Sequence, residues 1–547
     1  MIKKNDFTFQ SLCLVLIITF ISYYPSINNG FTSWDDSGYI TQNQLLKQSS
    51  FTDYFTQHKF IMGNFHPLTM LSYVCEYSIV GIDPKLYHID NFILHLLNTL
   101  FVFWLIFLLG GWQIAALVSV LFGVHPMHVE SVAWVSERKD LLYTFFYLAS
   151  LIAYIKYFNN NRKILYLLSL LLFIFSLLSK AQAVTLPIAL LAIDYFYHKK
   201  IGWKYLFDKL PFIILSIIFG YIAVIAQRSV HVFTSSTQTI NTVATANIGF
   251  IKKGVHILFL LYERLCIASY GLLSYVVKMI LPTKLSCFYP YPQKVDGMLP
   301  FYFYLAPIFL IAILVLTFYK WRNNQAVIFG LVFFIGTIFP VLQLLPVGSS
   351  IISDRYTYLP SIGFFFVFAC GVFYLVGFEM KEGKIFNTRL KIVLSILVCC
   401  VFGYAIAGNQ RCKVWKDSET LYSDVLENYP DVYYIQYKLG NEYKVKADSL
   451  VIQKQTILAK YFYHKAVDRF EESIKLNNRF ARGWYNLSLT YSALGMNQQA
   501  LNNMDSTISL SPNSSELYRR RSAIYLQLND KESSKRDEQK AVELKVK

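Results

Sequence analysis

The sequence predicts an all-α protein in two parts, a polytopic membrane helix bundle over residues 1–408 and a soluble stack of helical hairpins over 409–547. Three observations carry that reading. Only 16% of the 547 residues are charged while 55% are apolar, against roughly 25% charged in an ordinary soluble domain. Of 51 basic and 34 acidic residues, 22 and 17 fall after position 408. A 34-residue period then runs through that charged tail. A disordered, collagen-like or disulfide-framework chain is excluded. Nucleic acid is excluded as a partner too, because most of the net charge of +17 lies in the apolar part rather than on one soluble face. The eight cysteines form no CxxC pair, and Cys13, Cys370, Cys399 and Cys400 lie inside apolar runs as packing residues.

Runs long enough to cross a bilayer occupy 9–27, 88–109, 140–158, 163–180, 182–198, 210–228, 300–319, 325–345, 358–378 and 390–408. The shorter run 112–124 crosses too if Gly110-Gly111 is a tight turn, giving about eleven spans. Lys3-Lys4 and the apolar core after them have the form of a signal peptide. No small-x-small cleavage site follows, so an uncleaved first span is expected. Basic residues in short connections face the cytoplasm. Lys3-Lys4, Arg162-Lys163, Lys199-Lys200, Lys320 with Arg322, and Lys381 to Lys391 all do so when the first span starts inside. An odd span count then puts residues 28–87 and the tail outside. The apolar stretch 252–281 carries Glu263-Arg264 at its middle and would invert the later connections if it crossed. It is expected to lie in the outer interface.

In the tail Trp484 pairs with Tyr518, Tyr491 with Tyr525, and Ala466 with Ala500 and Ser534 at the 34-residue period. With Gly495 and Pro512 this fits the tetratricopeptide repeat. An earlier unit around Tyr437-Lys-Leu-Gly-Asn-Glu-Tyr443 carries about fourteen extra residues before its second helix. Such stacks bind peptides or proteins on their concave face; the alternative is a structural cap on the membrane part.

Polar clusters at a membrane surface are functional candidates, because burying them beside lipid is costly. Ser33-Trp-Asp-Asp-Ser37 offers adjacent carboxylates, Asp35 and Asp36, as a general base or metal ligand, or as a solvated turn. Asn64-Phe-His-Pro-Leu-Thr69 contributes His66. His125-Pro-Met-His-Val-Glu130 offers His125, His128 and Glu130, which could join Asp35 around a divalent cation. Arg138 and Lys139 follow, and they favour a phosphate at the membrane face over a cation. Lys180 and Arg355, in Ser353-Asp-Arg-Tyr-Thr-Tyr-Leu-Pro360, can extend that site or simply snorkel. Carboxylates, imidazoles and cations at one water–lipid boundary suit transfer of a group from a membrane-anchored phosphate to a nucleophile from water.

The order Trp34-Asp-Asp, His66-Pro-Leu-Thr, His125 to Val135, Glu137-Arg-Lys-Asp140, Lys180-Ala-Gln, Pro282-Thr-Lys-Leu, Asp354 to Pro360 and then the repeats resembles a known family. It is similar to the transmembrane and tetratricopeptide repeat O-mannosyltransferases and their bacterial relatives, of the C-type glycosyltransferase superfamily. The resemblance implies inverting transfer of a hexose such as mannose from a polyprenyl-phosphate donor to Ser or Thr of extracytoplasmic proteins. It puts the catalytic base on Asp35 or Asp36. His66-Pro-Leu lacks the second Pro of the wider family's motif, and Lys180 is followed by Ala where an acidic residue is expected. Placing Arg138 and Arg355 on the donor phosphate is our own expectation. Composition points to a bacterial inner membrane with the tail in the periplasm; in a eukaryote the same topology puts the tail in the lumen of the endoplasmic reticulum, with Asn486-Leu-Ser and Asn513-Ser-Ser as glycan acceptors. The rival readings are a lipid or glycan acceptor, with the repeats as an assembly platform, and an inactive membrane-anchored adaptor.

Overall fold

The computed structural model describes residues 2–48, 51–56, 60–199, 202–234, 250–344, 348–376 and 388–546. It is all-α, and the described residues contain isolated bridges but no strand. The chain divides into two compact units, Met1–Asp417 and Ser418–Lys547. The boundary read from charge at 408 falls inside a helix, Thr388–Val414, because charge density rises before the helix ends.

The first unit is a membrane helix bundle. Its long helices are α1 (Ile2–Tyr23), α2 (Pro67–Val80), α3 (Pro84–Val124), α4 (Arg138–Asn160), α5 (Lys163–Ser179), α6 (Leu186–His198) and α7 (Leu210–Thr234). After them come α8 (Phe250–Ile280), α9 (Phe301–Trp321), α10 (Gln325–Ile338), α11 (Ser361–Leu375) and α12 (Thr388–Val414). Among the described residues seven helices are long and apolar enough to cross a membrane, and shorter apolar ones include Lys163–Ser179 and Ser361–Leu375. The α3 helix is two in one: Gly111, at φ 80° and ψ 177°, breaks it where the sequence places a turn. Only a residue without Cβ takes that conformation cheaply. Helix α1 packs on α3 and α12, α4 on α3 and α5, and α10 on α6 and α11. On the expected cytoplasmic side, buried Lys209 bonds the Asp194 carboxylate and the Tyr154 hydroxyl, joining α6 and α4 just before α7 begins.

Helix α8 spans Phe250–Ile280, against the expected 252–281, and its Phe259–Ile280 part is apolar enough to cross. Its side chains and backbone bond three separate segments. Glu263 pairs with Lys294 at 2.7 Å, the Tyr275 hydroxyl accepts from Ser353 N at 3.0 Å, and Met279 O meets His125 Nε2 at 3.1 Å. Glu263 and Met279 lie about 24 Å apart along the axis.

The expected outer loop 28–87 is a folded cap. Tyr39, Ile40, Leu46, Tyr54, Ile61, Met70, Tyr73 and Tyr87 form one buried cluster with Val135. That core positions the acidic pair.

The second unit is a tetratricopeptide-repeat solenoid. It contains α13 (Ser418–Asn428) and three hairpins, α14 (Tyr433–Ile452) with α15 (Thr456–Leu476), α16 (Ala481–Ala493) with α17 (Asn497–Leu510), and α18 (Ser515–Gln527) with α19 (Lys531–Val546). Ala500, Met504, Ile508, Leu517 and Ile524 make its core between the last two hairpins. The extra residues of the first hairpin form no loop. They lengthen both of its helices by about two turns, 20 and 21 residues against 13 and 14 in the next hairpin.

The α10–α11 crossing depends on small residues. A Cβ at Gly363 would stand 2.4 Å from Gly330 O and 2.8 Å from Phe334 N, both backbone atoms, whereas one at Gly371 meets nothing. Gly363→Ala is therefore expected to destabilise the bundle by about 1–3 kcal/mol, and Gly371→Ala to leave it unchanged. Thermal unfolding in detergent compares the two.

Candidate active site

The two acidic residues of the first loop have different surroundings. Asp36 is buried, and its carboxylate accepts four hydrogen bonds. Thr32 donates through its backbone N–H at 2.8 Å and its hydroxyl at 3.1 Å. Ser136, from the turn before α4, donates through its N–H at 3.0 Å and through its hydroxyl. Burial pushes the Asp36 carboxyl up from its ordinary range, and the Ser136 and Thr32 donors pull it back. With its lone pairs engaged, Asp36 acts as a clamp between two loops a hundred residues apart. Asp35 is partly exposed and lies within electrostatic reach of Lys139 and Tyr39. Of the pair, Asp35 is the more exposed.

Beside it three cations gather on buried carboxylates. Glu137 stands 3.1 Å from Lys139 Nζ, 3.5 Å from Lys180 Nζ and 3.2 Å from Arg355 Nε. Asp140 holds Lys180 at 2.5 Å. Glu130 takes the Arg355 guanidinium through one oxygen and the Arg355 backbone N–H at 3.0 Å through the other. Aromatic faces complete the frame. Lys139 lies 5.0 Å from the Tyr39 ring centre, and Arg355 lies 5.3 Å from that of Trp134 and 4.8 Å from that of Tyr356. Trp134 is itself stacked on Trp415 at 5.5 Å.

The order of burial matters. The three carboxylate side chains are 1–3% exposed and the three cations 10–17%. The carboxylates are thus the more deeply buried partners and the cation side chains the more exposed ones. The Arg355 Nε contact with Glu137 is close but misaligned, so this N–H lacks a hydrogen-bond acceptor. A phosphate could take it. Buried anionic support keeps such cations charged and fixed in place, as a developing phosphate charge requires.

Other residues singled out in the sequence lie elsewhere. Arg138 points away from its neighbour Lys139 and is buried between α2 and α3. It bonds Glu76, Asn91 Oδ1 at 2.8 Å, Tyr87 O at 2.8 Å and Ser72 Oγ at 3.3 Å. With its donors so taken, it braces the bundle and does not reach a donor phosphate. His125 bonds Met279 O, while His128 Nδ1 bonds Phe122 O at 2.8 Å and its Nε2 meets Ser361 Oγ at 3.2 Å. Burial lowers the His125 imidazole to about 4, so it stays neutral. Asp35, His125, His128 and Glu130 are not brought together as metal ligands. Among the described residues no group of three or more His, Cys, Asp or Glu side chains has that arrangement. His66 caps the start of α2 and packs edge-on to Tyr39, 5.3 Å between ring centres, within electrostatic reach of Lys139 and Lys180.

Glu137 and Asp140 had no assigned role in the sequence, although their spacing of three was a signal. It puts both carboxylates on one side of the first turn of α4. Trp134 and Trp415 gave no such signal.

No family model matches the chain. Among curated proteins, a protein O-mannosyl-transferase of Caenorhabditis elegans is 26% identical over 455 residues, 79% of this chain and 59% of that protein. The human protein O-mannosyl-transferase TMTC2 is 33% identical over 138 residues, 23% of this chain and 16% of its own length. The chain resembles the protein O-mannosyl-transferases. It spans about three fifths of the length of the worm relative. Among solved structures, an Archaeoglobus fulgidus oligosaccharyltransferase matches 78% of this chain and 58% of its own, at 13% identity and a TM-score of 0.43.

The Asp36 clamp is directly testable. Asp36→Ala strands two buried N–H donors and two hydroxyls, and should cost about 3 kcal/mol, lowering the thermal midpoint in detergent by several degrees. Asp36→Asn keeps one acceptor oxygen and should cost less. Unchanged midpoints in both variants would contradict the clamp.

Proposed function

We propose that the protein transfers a hexose, mannose by analogy with its relatives, from a polyprenyl-phosphate donor to Ser or Thr hydroxyls of extracytoplasmic proteins. The observation that carries this reading is the set of three cations paired with buried carboxylates beside a partly exposed Asp35. The acceptor oxygen attacks the anomeric carbon as the Asp35 carboxylate takes its proton. The bond from that carbon to the phosphate oxygen breaks, and its electron pair stays on the polyprenyl phosphate. Lys139, Lys180 and Arg355 stabilise the charge left there. Attack from the face opposite the leaving group inverts the anomeric centre. Of the residues expected to hold a divalent cation, His125, His128 and Glu130 are engaged with other partners, so a cation would be held by Asp35 and would supply charge stabilisation to the leaving phosphate.

The acceptor chain is proposed to be presented by the repeats. Trp484, Tyr491, Gln499, Asn502 and Asn503, with Glu471 and Lys475, line a cavity of about 580 Å³ between α15, α16 and α17. Aromatic faces and side-chain amides there suit an extended polypeptide. Membrane sidedness follows from the basic connections, which place the repeats outside; composition favours a bacterial inner membrane with the repeats in the periplasm.

The test is transfer from polyprenyl-phosphate mannose to Ser- and Thr-containing protein by the full chain in detergent. Asp35→Asn should lower the rate by about 10²–10⁴ without changing the thermal midpoint. Full transfer by that variant, or transfer to lipid or glycan only, would contradict the reading.

A further inference from the structure

Charged groups can hold a phosphate, but they do not distinguish one hexose from its epimers. That task needs neutral hydrogen-bonding groups at fixed positions. Two buried side chains next to Lys180 have polar atoms without partners. Gln182 is 7% exposed, and neither its amide oxygen nor its amide nitrogen has a hydrogen bond. His66 is 3% exposed, and its Nε2 is likewise unpartnered. Leaving such atoms unpaired in a packed interior is unfavourable, so they mark a place that a ligand completes.

Both groups are held in position. Gln182 lies on the tight turn 181–185, where its carbonyl accepts from the Thr185 hydroxyl at 3.2 Å, and that hydroxyl in turn meets Tyr147 Oη at 3.3 Å. The His66 segment is fixed to the Lys180 segment by Thr69, whose hydroxyl donates to Ser179 O at 3.0 Å. Phe65, beside His66, packs on Phe219 of α7, and the 181–185 turn packs on the same helix. Gln182 is thus two residues from Lys180, and His66 lies on the segment tied to it, within electrostatic reach of Lys180. Burial first, and then the nearby Lys139 and Lys180, lower the His66 imidazole to about 3 against the opposing pull of Glu137. It is uncharged and offers hydrogen bonds only. A primary amide presents a donor and an acceptor side by side, the pattern that adjacent sugar hydroxyls match.

We propose that Gln182, assisted by His66, reads the hydroxyl pattern of the donor sugar and sets which hexose the protein accepts. This rests on the proposed polyprenyl-phosphate donor. Lys139, Lys180 and Arg355 hold the phosphate, and the neutral pair meets the ring hydroxyls.

The experiment compares the full chain with Gln182→Met, similar in length and without hydrogen bonds, and with His66→Phe. The probes are polyprenyl-phosphate mannose, its glucose and galactose counterparts, and sugar-free polyprenyl phosphate. The wild type should prefer one hexose. Gln182→Met should reduce the ratio of kcat/KM between hexoses at least tenfold while leaving inhibition by sugar-free polyprenyl phosphate within twofold; His66→Phe should do so more weakly. A merely structural role would weaken both kinds of lipid together and keep the ratio, which would overturn the inference, as would a wild type that does not distinguish hexoses. Should the wild type bind sugar-bearing lipids selectively yet transfer to no protein, the proposed reaction fails. The same hexose ratio, measured as binding, then decides the role of Gln182.

Discussion

One buried carboxylate fixes the geometry of the outer face. Asp36 ties Thr32 in the first loop to Ser136 in the turn before α4, through four hydrogen bonds. Beside it, the folded cap around Tyr39 and Tyr73 is held against Val135 by apolar packing and by the Tyr73 hydroxyl, which donates to Val135 O at 2.9 Å. With Asp36 in place, Asp35 is carried to the side where Lys139 emerges. The adjacent acids therefore differ in setting, Asp36 buried and binding two loops together, Asp35 partly exposed.

The same division recurs in α4. Arg138 and Lys139 are consecutive, and a helix rotates about 100° per residue. Arg138 turns into the bundle to join Glu76, Asn91 and Tyr87, while Lys139 turns toward Glu137 and Tyr39. Glu137 collects three cations that come from α4, the 180 turn and the 354–357 turn. These segments are far apart in sequence, so the platform exists only once the bundle is packed. Trp134 links it to the end of the last membrane helix through its stack on Trp415.

The elements that were legible in the sequence are those with a strong period or composition. The apolar runs, the Gly110-Gly111 break and the 34-residue repeat all reappear as helices at nearly the expected bounds. The acidic pair, His66, Lys180 and Arg355 were found because charge at a membrane surface is costly. Their division of labour was not legible. Nothing local to Asp35 and Asp36 says which will meet Ser136, and nothing in Arg138-Lys139 says where the helix begins its turn. His125 and His128 had metal-like spacing, yet each meets a backbone carbonyl, His125 that of Met279 and His128 that of Phe122, six residues back. The fourteen extra residues of the first repeat were located, but only packing shows that they lengthen two helices.

The central claim is that the cations around Glu137 form the seat of a lipid phosphate. A cryo-electron microscopy map of the full chain with polyprenyl phosphate tests it most directly. The account places the phosphate in hydrogen-bond contact with Lys180 and Arg355, on the side facing Asp35. A phosphate bound elsewhere, in contact with neither Lys180 nor Arg355, would contradict it.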